Sequence, residues 1–296
     1  MADSPITPPP GDPVGARPGQ EACPRHPDRV TGLRCTRCER PACPECLREA
    51  SVGYQCVDCV NEGRRTTRTA RTFVGAEFTG PKTLVTPLLI AVNVLMFVIT
   101  AVQSGSLVDN ARGSSLFQAL VMWTPAVAIE DEWWRLVTSG FLHFGPAHLA
   151  LNMIALYVLG RDLEPVFGRL RFTAVYFVSL LGGGVAVYLF GATLSAVAGA
   201  SGAVYGLMGA MLVAVLRLKL SPGPALGVIG LNVVLSFTLP GISLLGHLGG
   251  LVIGAALTAG LVYAPARKRD TYQAVVIAGA VVLLVVLVFV RTGQLL

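Results

Sequence analysis

A serine, two histidines and an asparagine stand out in a chain that is otherwise mostly apolar. Ser201 lies in the small-residue run GASGAVYG, residues 199–206, and His247 begins the run HLGG. His148 and Asn152 are four residues apart, which places both on one face of a helix. An imidazole can take the proton of a serine hydroxyl and make it a nucleophile, and imidazole and amide N–H groups can stabilise an oxyanion. The alternative is structural: these side chains could serve only as hydrogen-bonding contacts between helices.

The composition places these residues in a membrane protein. Of the 296 residues, 53% are hydrophobic and 14% are charged, whereas soluble domains carry about a quarter charged residues. Because a helix needs about 20 apolar residues to cross a bilayer, the sequence predicts seven spans. They cover residues 84–103, 146–160, 172–192, 201–216, 224–240, 244–264 and 272–290.

The basic residues predict the direction of these spans, since cytoplasmic loops are enriched in Lys and Arg. The loops after spans two, four and six carry Arg161, Arg169, Arg171, Arg217, Lys219, Arg267, Lys268 and Arg269, and the opposite side carries Arg112, Arg135 and Arg291. The N-terminus is therefore predicted to be cytoplasmic, and the net charge of +6 does not call for a nucleic-acid partner. Spans two, four and six then begin on the outer side, so His148, Asn152, Ser201 and His247 lie at similar depth.

Two glycine pairs predict how the helices that carry these residues meet. Gly202 and Gly206 form a small-xxx-small face on span four, and Gly250 and Gly254 form one on span six. Such faces allow two helix backbones to approach closely. That approach would bring the imidazole of span six towards the serine of span four.

All seven cysteines lie near the N-terminus, outside the predicted spans. With one histidine they form four pairs, each with two intervening residues: Cys23 and His26, Cys35 and Cys38, Cys43 and Cys46, and Cys56 and Cys59. Eight such ligands fill two tetrahedral Zn²⁺ sites, and closed four-ligand sites are structural rather than catalytic. Another metal or cluster, or disulfide bonds, are the alternatives. The metal would supply much of the folding free energy of so short a segment.

The motifs of the membrane region resemble those of the rhomboid family of intramembrane serine proteases. They are Gly199-Ala200-Ser201-Gly202 with Tyr205, His247-Leu248-Gly249-Gly250 with Gly254, His148-x3-Asn152 and Glu132-x-Trp134-Arg135. The run Leu163 to Gly168 also fits the loop that follows the second span of the family's core. The resemblance covers about residues 84 to 264, and a seventh span after the six-span core also occurs in the family.

The resemblance implies a role for each site residue. Ser201 would be the nucleophile and His247 the general base of a dyad, with no carboxylate from spans two to six and no catalytic cofactor. Tyr205 would pack on the histidine ring. The side chains of His148 and Asn152, with the Ser201 backbone N–H, would stabilise the oxyanion.

Two features of the outer side are given lesser roles. Glu132 and Arg135 would hold the shape of the first outer loop, or else form only a solvated surface pair. His143 is expected to have an ordinary interfacial role, with lining of the outer loop as the alternative.

The order of the cysteine pairs resembles that of B-box-type cross-braced zinc fingers. This resemblance implies that the first and third pairs share one zinc ion, and that the second and fourth share the other. The last pair departs from the B-box pattern, which usually ends in histidines. Such modules mostly bind other proteins, so a cytoplasmic protein partner is possible.

The sequence thus predicts an all-α polytopic membrane protein with a six-helix rhomboid core, a seventh C-terminal transmembrane helix and a small cross-braced zinc finger. The predicted order is a disordered Pro-rich tail (1–22), a double zinc module (23–60), a basic linker (61–83), a protease core (84–264) and a C-terminal loop, helix and tail (265–296). We expect a serine endopeptidase that cleaves transmembrane segments of membrane proteins near the outer leaflet. A catalytically silent scaffold that recruits cytoplasmic partners is the alternative. Since no signal or transit peptide is recognised, a bacterial plasma membrane is the expected location, with lipid as a further partner.

Overall fold

The computed structural model describes residues 21–66, 70–77, 83–238 and 242–296. The chain divides into two compact units, Met1–Thr69 and Ala70–Leu296. Residues 1–20 of the predicted Pro-rich tail lie outside the described part of the chain.

The first unit is a small metal-ligand module built from two hairpins and a helix. Its elements are β1 (Glu21–Cys23), β2 (His26–Thr31), a 3₁₀ turn (Pro44–Cys46), β3 (Leu47–Glu49), β4 (Tyr54–Cys56) and α1 (Val57–Thr66). β1 pairs with β2 and β3 pairs with β4, both antiparallel. Six of the eight residues in the buried hydrophobic cluster of this unit are cysteines. Helix α1 enters the segment that the sequence predicts to be a basic linker, so residues 61–66 belong to a folded element.

The second unit is helical, and its long helices are apolar. Its elements are α2 (Val85–Ser104), α3 (Ser115–Leu120), β5 (Met122–Trp123), α4 (Thr124–Ile129), α5 (Arg135–Thr138), a 3₁₀ turn (Ser139–Phe141), α6 (Gly145–Phe190), β6 (Ala196–Val197), α7 (Ser201–Arg217), α8 (Gly223–Thr238), α9 (Leu244–Val262) and α10 (Arg269–Leu295). Within the described residues, four helices, α2, α6, α9 and α10, are long and apolar enough to cross a membrane, and α7 and α8 are shorter apolar helices. The prediction of an all-α polytopic membrane protein is confirmed.

Helix α6 corrects one prediction about the loops. The sequence predicts two spans joined by a loop around Leu163 to Gly168, whereas the first helix continues to Phe167 and only one non-helical residue, Gly168, separates it from the next. Gly168 has φ +71° and ψ 159°, a conformation that residues with a Cβ atom rarely adopt. Each half of the 46-residue helix is about 35 Å long at 1.5 Å per residue, enough to cross a bilayer. α6 therefore supplies two of the seven spans.

Glycine contacts join α7 and α9, as the sequence predicts. A Cβ atom on Gly250 would overlap the carbonyl group of Gly202, and one on Gly254 would overlap the backbone of Gly206. Backbone thus packs directly on backbone at both levels. The second half of α6 joins the same contact, because a Cβ atom on Gly183 would lie 2.7 Å from the carbonyl oxygen of Gly246. These three helices form the rigid centre of the unit.

The bend region of α6 also fixes the start of α2. The carboxylate of Glu164, 1% exposed, accepts hydrogen bonds from the backbone N–H groups of Leu84, Val85 and Thr86 at 2.7 to 2.9 Å. The hydroxyl of Thr86 donates a fourth bond at 2.7 Å. The first N–H groups of a helix have no partner within the helix, and its dipole favours a negative charge there. Glu164 is therefore a helix cap supplied by another helix.

We expect Glu164→Gln to destabilise the protein by about 1–3 kcal/mol, because its amide NH₂ group would be buried and would face the N–H donors at the start of α2. Asp162→Asn is the matched control, since Asp162 is exposed and pairs with the exposed Arg161 at 3.3 Å. Thermal unfolding of both variants in detergent measures the difference. Equal unfolding temperatures for the two variants would contradict the capping role.

Helix α10 is held to the core by buried polar contacts at both ends. Near its start, the Gln273 amide donates to the backbone oxygens of Val74 and Leu261 at 3.0 and 2.7 Å and accepts from Arg171 Nε at 2.6 Å. Near its end, the Thr292 hydroxyl lies 2.7 Å from the hydroxyl of Tyr188. The seventh helix is thus an integral part of this unit. So is Val74, although the sequence places it in the linker.

Candidate active site and metal clusters

Ser201 begins α7, and the chain before it is fixed by two loops. β5 from the first outer loop pairs with β6, which lies directly before the serine motif. The Gly199 N–H then donates to the carbonyl oxygen of Ser139 at 3.0 Å. Gly199 has φ +130°, a value that side-chain-bearing residues rarely adopt, so the turn that presents Ser201 requires glycine. The serine backbone N–H lies in the first turn of the helix, where N–H groups are free to bind an anion.

His247 is buried in the first turn of α9, and its ring is held from two sides. The ring of Tyr205 stacks on it with centroids 4.1 Å apart and planes 18° from parallel. Its Nδ1 atom lies 2.7 Å from the hydroxyl of Ser236 on α8, and that hydroxyl lies 2.8 Å from the Tyr205 hydroxyl. Three helices therefore position one imidazole, and the Nε2 atom is on the side away from Ser236.

His148 and Asn152 lie on the first two turns of α6, on the face that the sequence predicts. The His148 ring lies next to the turn before Ser201: a Cβ atom on Gly199 would be 2.9 Å from His148 Nε2 and 3.6 Å from Ser201 Oγ. His148 Nδ1 accepts the backbone N–H of Phe144 at 3.2 Å. The amide of Asn152 is buried and donates to the carbonyl oxygen of His148 at 3.0 Å.

The structure does not bring every predicted group into contact. Among the described residues, no direct hydrogen bond joins Ser201 Oγ to His247 or to His148. Catalytic hydrogen bonds are often long before a substrate binds, so a dyad does not require a direct bond between Ser201 and His247 in the free protein. The Asn152 amide is bonded to its own helix and would have to rotate to reach an oxyanion.

The position of His143 does not fit the interfacial role that the sequence predicts for it. The side chain is completely buried, and its ring meets the edge of the His148 ring at 5.1 Å. Its backbone oxygen accepts the side-chain amide of Asn110 at 3.0 Å. His143 is thus a packing support beneath His148 rather than a surface residue.

Arg135 anchors the predicted first outer loop. This agrees with the interpretation that Glu132 and Arg135 hold the shape of the loop. The Arg135 guanidinium is buried, pairs with Glu132 at 2.5 Å and donates to the carbonyl oxygens of Gln118 and Val121 at 2.6 and 2.9 Å. Glu132 and Arg135 therefore tie together distant parts of the loop. They are more than a solvated surface pair.

Ser236 is the site residue that sequence reasoning missed. It lies in the fifth predicted span, where a single serine is an ordinary helix residue. A serine in a helix can bond the carbonyl oxygen four residues earlier, as Ser236 does with Asn232. From the sequence alone, such a serine is therefore interpreted as a structural residue. A signal was present nonetheless, since a polar residue within a span usually faces the interior of a helical bundle.

Two groups of ligands in the N-terminal unit could each hold a metal ion. One contains Cys23, His26, Cys43 and Cys46, and the other contains Cys35, Cys38, Cys56 and Cys59; in each, the ligand atoms lie within 4.8 Å of one another. The groups combine the first pair with the third and the second with the fourth, as the B-box resemblance implies. All seven cysteines are free thiols, so disulfide bonds do not hold this unit together.

The ligand spacing fits tetrahedral coordination. The Cys38 and Cys56 sulfur atoms are 3.8 Å apart, and a tetrahedron with Zn–S distances of 2.3 Å has an edge of about 3.8 Å. In the other cluster, His26 Nδ1 lies 3.3 Å from the sulfur atoms of both Cys43 and Cys46. The backbone N–H of Cys43 lowers the pKa of Cys23 to about 6, whereas burial and neighbouring thiols raise that of Cys46 to about 11. A metal ion would therefore displace a proton from Cys46 on binding.

The fold is that of a polytopic membrane protein, and a serine and two histidines, the residue types of a serine hydrolase, lie at the starts of α7, α6 and α9. The family model for the Rhomboid domain matches residues 130–264, which include Ser201 and His247. "Putative rhomboid protease YdcA" of Bacillus subtilis is 31% identical over 151 residues, which cover 47% of this chain and 76% of the relative. The chain belongs to the rhomboid family.

Two further relatives are matched over part of their length. Rhomboid protease GluP of Bacillus subtilis is 34% identical over 209 residues, which cover 68% of this chain and 40% of the relative. RHOMBOID-like protein 6 of Arabidopsis thaliana, named as mitochondrial, is 38% identical over 134 residues, which cover 43% of each chain. This chain thus spans about two fifths of the length of these two relatives.

Proposed function

We propose that this protein is an intramembrane serine endopeptidase that cleaves transmembrane segments near their outer ends with Ser201 and His247. The observation that carries the proposal is the held His247 ring, which stacks on Tyr205 and is bonded at Nδ1 beside a serine-bearing helix N-terminus. The names of the relatives as proteases support the reaction class. Inter-helix packing alone would not need a histidine held at one ring nitrogen and stacked on one face.

In the proposed reaction Ser201 attacks the peptide carbonyl carbon. The Ser201 O–H bond breaks as its oxygen bonds to that carbon, and the proton goes to His247 Nε2. As the peptide C–N bond breaks, His247 Nε2 gives this proton to the leaving amine nitrogen, and the acyl group remains as an ester of Ser201. A water molecule then attacks the ester carbon while His247 Nε2 takes one of its protons. The ester C–O bond breaks as this proton passes to Ser201 Oγ, and the carboxylic acid is released. The serine and histidine are restored at the end.

The proposed oxyanion site lies at the turn that contains Gly199 and Ser201, beside the His148 ring. Because His148 Nδ1 accepts a backbone N–H, its neutral ring carries the proton on Nε2, the nitrogen beside Gly199. That N–H and the backbone N–H of Ser201 would stabilise the oxyanion, with the Asn152 amide joining after rotation. The proton on Nε2 is assigned from the hydrogen bond.

The substrate class follows from the chemistry of peptide bonds in a bilayer. A helical segment hides its peptide groups in its own hydrogen bonds, so it must unwind before a serine can attack it. Segments with small or helix-breaking residues near their outer ends are therefore the proposed substrates.

The test is cleavage of a reporter with such a labile transmembrane segment by the full chain in liposomes, with the product masses measured. The proposal requires a single cut near the outer end of the segment. Intact reporter would favour the catalytically silent scaffold, in which the N-terminal unit recruits cytoplasmic partners.

We also propose that the two ligand groups of the N-terminal unit each bind a structural Zn²⁺ ion, since three thiolates with an imidazole, and four thiolates, both suit zinc. We expect two zinc ions per chain by elemental analysis, and one after Cys35→Ser, because each group supplies one site. Thr36→Ala, next to this ligand, is the control and keeps both ions. Iron in place of zinc, or an unchanged content in Cys35→Ser, would refute the assignment.

For the topology we propose a cytoplasmic N-terminus in a bacterial plasma membrane, with residues 84–264 as the protease core. The eight basic residues in the loops after spans two, four and six support this direction. All seven cysteines lie in the N-terminal unit, so they report its side. An impermeant maleimide should label the chelator-treated protein only after cells are permeabilised, and labelling of intact cells would contradict the topology.

A further inference from the structure

The hydroxyl of Ser236 makes three hydrogen-bond contacts, one more than a packing serine needs. Its oxygen lies 2.7 Å from His247 Nδ1, 2.8 Å from the hydroxyl of Tyr205 and 2.8 Å from the backbone oxygen of Asn232. Ser236 is also the buried residue of α8, whose other side chains are partly or fully exposed. The contact between Ser236 and His247 joins α8 to α9, and the two residues are 11 positions apart in the sequence.

The protons of these three bonds can be placed by counting. A hydroxyl has one hydrogen to donate and two lone pairs to accept with. The carbonyl oxygen of Asn232 can only accept, so it takes the hydrogen of Ser236. The Tyr205 hydroxyl and the His247 ring must then both donate to Ser236. All three contacts are satisfied together when the His247 Nδ1 atom carries a proton.

This assignment determines the chemical state of the other ring nitrogen. A neutral imidazole carries one proton, so a proton on Nδ1 leaves Nε2 of His247 with a free lone pair. A ring with the proton on Nε2 could not accept one from Ser201. A hydroxyl in place of a carboxylate can thus set the tautomer of a general base.

We propose that Ser236 is a positioning residue for catalysis, which holds His247 as the Nδ1–H tautomer and prevents its ring from flipping. Stacking on Tyr205 fixes the plane of the ring but not which edge faces α8, because a half-turn of the ring exchanges Nδ1 with a carbon atom. The bond to Ser236 distinguishes the two orientations. The catalytic consequence rests on the proposed function.

Ser236 itself neither gains nor loses a proton in the reaction. When Nε2 accepts the proton of Ser201, the ring becomes positively charged and its Nδ1–H continues to donate to the Ser236 oxygen. Hydrogen bonds from a charged donor are stronger than those from a neutral one, so this contact strengthens as the reaction proceeds. The role therefore affects the chemical step more than substrate binding.

The kinetic test compares Ser236→Ala with Ser236→Thr in the liposome cleavage assay. We expect kcat to fall about 10- to 100-fold in Ser236→Ala with KM within about twofold, and the threonine hydroxyl to restore most of the rate. Thr238→Ala is the matched control, because the exposed Thr238 hydroxyl bonds only the backbone of its own helix in the described chain. Unchanged kcat in Ser236→Ala would overturn the proposal.

A spectroscopic test decides the tautomer without any activity. The chain has four histidines, so ¹⁵N-labelled imidazoles can be assigned by substitution and their tautomers determined by NMR at about pH 8. We expect the Nδ1–H form for His247 in the wild type and a mixed or Nε2–H form in Ser236→Ala. An Nε2–H ring in the wild type would overturn the assignment. Wild type that neither cleaves nor reacts with a fluorophosphonate would refute the proposed protease, and the NMR result would still decide the role of Ser236 in holding the ring.

Discussion

Replacing Ser201 by alanine should lower reporter cleavage by at least about a thousandfold, and replacing His247 by alanine should do nearly the same. The two side chains act as one unit, because an alanine at either position leaves no activated nucleophile. The double variant should therefore be no slower than Ser201→Ala alone. Initial rates of cleavage in liposomes, with equal amounts of reconstituted protein, measure these effects.

Ser221→Ala is the control for the loss of a serine hydroxyl. Ser221 is exposed between α7 and α8, so the Ser221→Ala variant should cleave the reporter at the rate of the wild type. Equal cleavage by Ser201→Ala and the wild type would show that another nucleophile or a contaminating protease is responsible.

Replacing Gly254 by alanine, which adds one methyl group far from the reacting atoms, should strongly lower the rate of reporter cleavage. A Cβ atom there would lie 2.7 Å from the carbonyl carbon of Gly206 and closer still to its Cα and oxygen atoms. Carbon atoms in contact are about 3.5–4.0 Å apart, so α7 and α9 must separate by about 1 Å. A displacement of that size between catalytic groups can cost about a hundredfold in rate. We expect Gly254→Ala to lose at least that much activity and to unfold at a lower temperature.

Gly230→Ala is the control, because it makes the same change in a helix at an exposed position. In the described part of the chain, a Cβ atom on Gly230 of α8 would meet no residue outside its own helix within 4 Å, so the cleavage rate and unfolding temperature of this variant should be unchanged. Full activity of Gly254→Ala would mean that the close approach of α7 and α9 does not position the site.

The parts of the site that depend on spacing within the chain could be predicted from the sequence. His148 and Asn152 share a helix face because they are four residues apart, and the glycine pair at 250 and 254 indicates a close helix contact. The paired spacing of the cysteines likewise identifies the candidate ligands from the sequence alone. In each case the information lies within one short segment.

The parts that depend on how helices cross could not be predicted. Glu164 and Pro165 suggest a loop after span two, yet the carboxylate is buried because α2 begins against it. Ser236 belongs to the site only because α8 and α9 bring its hydroxyl to the His247 ring. The burial of His143 follows from the fold of the first outer loop over it. Each of these contacts joins residues on different elements, so no pattern within one segment of the sequence predicts it.

The most direct test of the central claim is to treat the reconstituted full chain with a fluorophosphonate and map the modified residue by mass spectrometry. The proposed dyad predicts one adduct, on Ser201, that is lost when His247 is replaced by alanine while Ser221→Ala retains it. An adduct on another serine, or labelling of Ser201 that persists without His247, would contradict the assignment of these two residues as nucleophile and base.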